Sequence, residues 1–249
     1  MKKFVTSLAL AVSALALSAA AHAGVLRTTI TFDPVDTSTL LAPPALVDGD
    51  EFYQPGLGGR TMWFDPFANT SGAFGALVGN IIDGSIVDEF CVGIICPVNN
   101  ASTYVALLDD AVLAFGSTDG LLFSVQSLNA SFIGSGAPQA STQGFLALQG
   151  VRGGAALTAY YELSSLDANG HPNFEAIDTG AFGDYEFDSV YAFAYECPIG
   201  STTCNAFNSN KAQFALDDIA IEHIPEPASL ALVGVAGLAL LGARRRRAD

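Results

Sequence analysis

Across residues 24–224 the apolar side chains recur at every second position, in short runs, and no stretch of useful length repeats them at the helical period. A chain patterned this way builds strands, because alternate side chains of a strand point to opposite faces. The clearest runs are 28–32, 121–125, 157–163 and 185–195, rich in β-branched and aromatic residues. Asp48-Gly49-Asp50, Asp119-Gly120, Gly134-Ser135-Gly136, Gly153-Gly154 and Ala168-Asn169-Gly170 separate such runs and supply the positive φ that tight turns need. Many short strands within about 200 residues predict one all-β domain, an antiparallel jelly-roll-like β-sandwich, with an antiparallel barrel as the runner-up. Residues 33–59 contain Pro34, Pro43, Pro44 and Pro55 and read as a long irregular loop. The stretch 68–100 has room for one short helix.

Two apolar ends bracket this body. Lys2 and Lys3 precede an apolar stretch over 4–21, and Ala21-His22-Ala23 places small residues where signal peptidase reads them, so 1–23 is expected to be a signal peptide cleaved after Ala23. At the other end Pro225-Glu226-Pro227 leads into an apolar run over 228–243 and then Arg244-Arg245-Arg246-Arg247. That run is short. A bilayer core takes about 20 helical residues to cross, so these sixteen residues make a marginal transmembrane helix, and the arginines hold its end in the cytoplasm. Pro225 and Pro227 impose an extended approach that presents Glu226 to a membrane protease.

The chain has 10 Lys and Arg against 25 Asp and Glu. Setting aside Lys2, Lys3, the four terminal arginines, Glu226 and Asp249 leaves 4 and 23 in the body, a formal charge of −19. Such a surface repels nucleic acid and acidic polysaccharide and draws cations.

All four cysteines, Cys91, Cys96, Cys197 and Cys204, fall in the exported body, where oxidation to two disulfides is the expectation. Three pairings are open. The close spacings favour two local staples, and a four-thiolate zinc site is the rival, although neither pair has the two-residue knuckle spacing.

On the last strand Phe214 and Leu216 share one parity while Ile219 and Ile221 share the other, so the apolar face changes at Asp217-Asp218. A β-bulge absorbs such a slip. Two adjacent carboxylates need a cation or donors. One of the pair, with Asp33 and with Asp48, Asp50 or Glu51 as further candidates, is a possible structural Ca²⁺ site, against the plainer reading of a solvated turn. No other cofactor is expected. Trp63, the only tryptophan, lies close to Tyr53, Phe64 and Phe67, and Trp63 with Tyr53 is the candidate for stacking on sugar rings, against core packing.

Catalysis finds little support. The body holds His171 and His223 alone, neither at a metal-ligand spacing, and lacks a Gly-x-Ser-x-Gly elbow, a phosphate-binding Gly-x-x-x-x-Gly-Lys and a His-Glu-x-x-His. Asp109-Asp110 and Asp88-Glu89 read as turn or edge residues rather than an acid/base pair. The expectation is a protein that is not an enzyme.

Residues 225–249 resemble the PEP-CTERM sorting signal of bacterial surface proteins: the Pro-Glu-Pro, an apolar span and a terminal arginine cluster stand in that order. Gln213-Phe214-Ala215-Leu216-Asp217, just upstream, is similar to the Gln-Phe-x-x-Asp motif of one subgroup. The resemblance implies processing by exosortase after transient anchoring in the inner membrane, then residence at the cell surface or in the matrix of a Gram-negative, polysaccharide-making bacterium. The body also resembles, in pattern only, jelly-roll modules that bind calcium between the N-terminal region and an acidic residue of the last strand. The resulting expectation is an exported, non-catalytic structural protein with exosortase and signal peptidase as processing partners and no nucleic-acid partner. A module binding exopolysaccharide is the alternative.

Overall fold

A computed structural model describes residues 25–33, 35–69, 74–89, 91, 93–134, 142–201, 203–207 and 211–223, the side chains of residues 88, 89 and 142 excepted. Arg27–His223 form one compact unit; of the other unit, Met1–Leu26 with Ile224–Asp249, only Val25 and Leu26 are among these residues. The expected signal peptide and transmembrane helix therefore lie outside the described residues. No helix within the described residues is long and apolar enough to cross a membrane.

The body is all-β, with thirteen strands numbered in chain order, four short 3-10 helices and no α-helix among the described residues. One sheet runs β11 (Glu175–Asp178), β8 (Ser124–Ile133), β13 (Gln213–His223), β6 (Thr103–Leu107), β5 (Leu77–Asp83) and β2 (Ala45–Val47), with β1 (Leu26–Ile30) also paired to β13. The other runs β10 (Ala155–Leu163), β9 (Thr142–Arg152), β12 (Ser189–Pro198), β7 (Val112–Ser117), β4 (Thr61–Phe67) and β3 (Phe52–Pro55). All pairings along these two orders are antiparallel.

The sequence alternation is the reason the sheets face each other. Fully buried Phe52, Phe64 and Phe115 of the second sheet meet Phe32 and Phe123, which flank strands of the first, at ring separations of 5.3 to 6.3 Å. Phe32 reaches this core from a left-handed backbone with φ 56°, so β1 ends at Ile30 and not at residue 32 as the run 28–32 suggested. Residues 33–59 are not a single loop. They hold β2 and β3, kept in place by the buried Asp50 carboxylate, which accepts from the backbone N–H groups of Leu41 and Val47 at 2.8 and 2.7 Å. Strands of three and four residues between prolines are too short for periodicity to register. The stretch 68–100 likewise contains β5 as well as a 3-10 helix over Gly84–Glu89.

The four thiols pair locally, Cys91 with Cys96 and Cys197 with Cys204. The first staple has a packing role. Cys96 is buried with Ile82, Tyr104, Ala106, Ile133 and Ala215, and Val87, Cys91, Ile94, Leu108 and Phe174 close over them, so the stapled segment covers the outer face of the first sheet with a second small core.

Candidate functional site

Among the described residues no comparable hydrophobic cluster covers the second sheet, which carries aromatic side chains on its outer face. On β12, Val190, Ala192 and Ala194 are buried, and Tyr191, Phe193 and Tyr195 alternate with them at intermediate exposure. The ladders extend that outward parity across neighbouring strands. Phe145 stands opposite both Tyr195 and Glu162, Tyr160 and Phe193 both stand opposite Ala147, and Tyr53 stands opposite Trp63. Phe67 follows at the end of β4.

The rings meet in three groups. Phe145 and Tyr195 stack at 5.0 Å and 6°, Tyr160 meets Tyr195 edge-on at 5.8 Å, Phe67 meets Tyr191 at 6.4 Å, and Phe207 from the loop after β12 lies against Phe193 at 5.1 Å. Tyr160 is 62% exposed and Tyr53 37%. Trp63 pairs with Gly116 on β7, and a Cβ added there would lie 2.7–2.9 Å from Cζ2, Cε2 and Nε1 of the indole. Only glycine leaves room for the ring to lie flat on the strand.

Carboxylates stand among these rings. Asp65 is on the same face of β4 as Trp63; burial raises its pKa above the ordinary carboxylate range, and the negative charges of Glu51 and Asp48 push it the same way. The Tyr53 hydroxyl donates to Glu51 Oε1 at 2.5 Å. None of the face positions named carries Lys or Arg. Beside Phe145, Gln143 and Glu162 help line a cavity of about 420 Å³ together with Phe132, Gly144, Leu163 and Ser164. Flat rings with acceptors between them suit a ligand with apolar faces and hydroxyl edges.

Sequence reasoning singled out Trp63 and Tyr53 of this face, named Phe67 beside them, and missed Phe145, Tyr160, Tyr191, Phe193 and Tyr195. The signal was present in the alternation of ring with Val or Ala along 190–195, which marks the rings as facing away from the core.

The bulge at Asp217-Asp218 is present. Asp217 pairs with Asn129 and Ala220 with Ser127, so Asp218 and Ile219 oppose Leu128 alone, and Asp218 takes φ 48°. A second slip cancels the first: Ala220 pairs with Ser127 and Ile221 with Val125, which leaves Gln126 without a counterpart. Fully buried Asp217 accepts from Ser102 Oγ at 2.6 Å and Asn100 Nδ2 at 2.8 Å through Oδ2, and from the Asp218 N–H at 2.8 Å through Oδ1. Asp218 accepts from Asn129 Nδ2 at 2.8 Å, and Asp33 from the Thr103 N–H at 3.0 Å.

This donor set does not suit calcium, which takes six to eight oxygens. N–H and O–H groups point at these three aspartates, and among the described residues no group of three His, Cys, Asp or Glu could hold a metal ion. Asp50 and Glu51 are engaged elsewhere: Asp50 in its two backbone bonds and Glu51 with Tyr53.

Asp109 and Asp110 form a turn with φ 53° and 56°. His171 Nδ1 lies 3.2 Å from Asp167, and His223 Nδ1 lies 3.1 Å from Glu186. Ala21, Ala23, Pro225, Glu226, Pro227, Arg244, Arg245, Arg246 and Arg247 lie outside the described residues.

The fold defines a two-sheet all-β protein with an exposed ring face. Residues 223–247 match the PEP-CTERM protein-sorting motif, beginning at the last residue of β13. That motif implies an exported protein, transiently anchored in the membrane and processed by exosortase. Among curated proteins no sequence matches the chain. The crystal structure of a DUF4465 family protein from Bacteroides caccae is similar at 12% identity and a TM-score of 0.49, over 78% of this chain and 98% of that one.

Proposed function

We propose that this exported protein is a non-catalytic component of the cell surface or extracellular matrix that holds extracellular polysaccharide on the outer face of its second sheet. The row of rings from Tyr53 and Trp63 across Tyr191 and Phe193 to Tyr195, Phe145 and Tyr160 carries this reading. Such rings bury apolar area on a pyranose face, while Asp65, Glu51 and Glu162 accept hydroxyl hydrogens. The absence of basic side chains from these positions favours a neutral glycan over an acidic one.

A non-catalytic role is supported by the pairing of all four thiols and by the single-carboxylate partners of both body histidines. The repeated crossing of the chain between its sheets is consistent with a jelly roll, and Gln213 to Asp217 with the Gln-Phe-x-x-Asp subgroup. The test is retention on immobilised exopolysaccharide and neutral glucan, read together with Trp63 emission. Retention with a change in emission is expected for the native protein, and weakened retention for Trp63→Ala. Unretained protein whose emission ignores the glycan overturns the reading.

A further inference from the structure

The ends of the two strand orders leave four edges, of which three are blunted, and β1, paired to β13 off that order, is a further short edge of five residues that carries Arg27. β2 has three residues, β3 has four and ends at Pro55, and β11 has four with Glu175 at its start and Asp178 at its end. Short strands, proline and charge are the usual protections of an edge. β10 is neither short nor interrupted by proline, and its single charge, Glu162, stands next to its last residue. Its nine residues, Ala-Ala-Leu-Thr-Ala-Tyr-Tyr-Glu-Leu, include one charge, and at about 3.3 Å per residue they expose roughly 30 Å of edge. Leu157 is 39% exposed and Tyr160 62%. Among the described residues the backbone N–H and C=O groups of β10 bond to no backbone outside β9, and the one bond from β10 to another backbone is that of the Tyr161 hydroxyl to the Thr179 carbonyl at 3.0 Å. Gly153 and Gly154, at φ 55° and 83°, form the two-residue turn that sets β10 in unbroken register on β9 from Ala155 to Leu163.

We infer that β10 pairs with β10 of a second copy of this chain, antiparallel about a two-fold axis, joining two six-stranded sheets into one. Charge selects this occupant. A body of formal charge −19 repels its own kind wherever carboxylates lie, and residues 155–161 of β10 carry none, so close approach is cheapest here. A basic partner would find no carboxylate along those seven positions to attract it. An antiparallel strand about a two-fold is its own complement, since the donors and acceptors of one copy meet the acceptors and donors of the other. Tyr160 and Thr158 of the two copies then share one surface, and the two ring faces become continuous.

The inference needs no glycan and is tested without it. Arg27–His223 carries its own core, so protein spanning 24–224 is the material. Sedimentation at micromolar to millimolar concentration is expected to show a dimer, and amide exchange to slow along 155–163 as concentration rises. The double substitution Ala156→Glu, Thr158→Glu sets like charges across the join and is expected to weaken association at least about tenfold, with far-UV circular dichroism unchanged. A monomer throughout, a dimer indifferent to the substitutions, or protection that rises at β2, β3 or β11 instead overturns it. Exchange on the unsubstituted protein decides the matter even where the variant does not fold.

Discussion

The indole of Trp63 lies on Gly116, its partner across the β4–β7 ladder, with ring atoms 2.7–2.9 Å from where a Cβ would stand. Gly116→Val is therefore expected to lift the indole and cost about 1–3 kcal/mol. A melting curve reads the cost, and a shift of Trp63 emission to longer wavelength reads the exposure. Glycan retention is expected to fall with the emission shift, since a tilted ring offers its edge. An unchanged midpoint and spectrum would refute the flat placement.

Asp217 joins the bulge of β13 to the segment before β6 through Ser102 and Asn100. Asp217→Ala strands both donors and is expected to cost about 2–3 kcal/mol, measured by denaturant titration. Asp218, at φ 48°, is expected to tolerate Gly better than Val, by about 1–2 kcal/mol, because a β-branched residue resists the left-handed region.

The pH dependence of the same site has a definite sign. Burial is the largest influence on Asp217 and raises its pKa above the ordinary 3.8, against the opposing bonds from Ser102, Asn100 and the Asp218 N–H. The folded state therefore holds this proton more tightly than the unfolded chain. The resulting stabilisation is fully present below 3.8 and is lost as pH climbs through the raised folded value. Asp217→Asn removes the titration, so the midpoint difference between native protein and variant should shrink steadily over that window. A difference that stays flat or grows with pH contradicts the assignment.

The two disulfides close loops of similar length, for which chain entropy gives about 2 kcal/mol each. Packing separates them. Cys96 lies in the small core over Tyr104 and Ala106, whereas Cys204 is exposed. Replacing Cys91 and Cys96 by serine is expected to destabilise more than replacing Cys197 and Cys204, by about 1–3 kcal/mol, because it also buries an unpaired hydroxyl. Paired melts of the two double variants measure the gap.

Much of the architecture was legible from alternation alone. The run 157–163 lies inside β10, and the parity change at Asp217 announced the bulge because one inserted residue sends every later side chain to the other face. The compensating slip at Gln126 was hidden, since Gln126 and Ser127 are polar and carry no parity signal of their own. β2 and β3 were hidden by brevity. The surroundings of Asp33, Asp217 and Asp218 were hidden for a different reason: sequence counts carboxylates but does not show that Asn100, Ser102, Thr103 and Asn129 aim their donors at them. The aromatic face was half legible, because a lone Tyr or Phe looks alike in a core and on a surface until its register with Ala147 or Gly116 is known.

The sorting signal gives the prediction farthest from the fold. The motif match begins at His223, where β13 ends, and its apolar run of sixteen residues falls short of the roughly 20 that a comfortable membrane span needs. Such a segment is expected to depend on Arg244 to Arg247 for its orientation, and on Pro225-Glu226-Pro227 for recognition by the processing enzyme. Glu226→Ala is expected to leave the protein exported and folded but held in the membrane at its uncleaved mass. Replacing the four arginines by serine is expected to release the hold, so that uncleaved protein appears outside the inner membrane. Fractionation followed by mass measurement of the C-terminal peptide separates the two outcomes. Normal cleavage in both variants would mean that this tail is not what the processing enzyme reads.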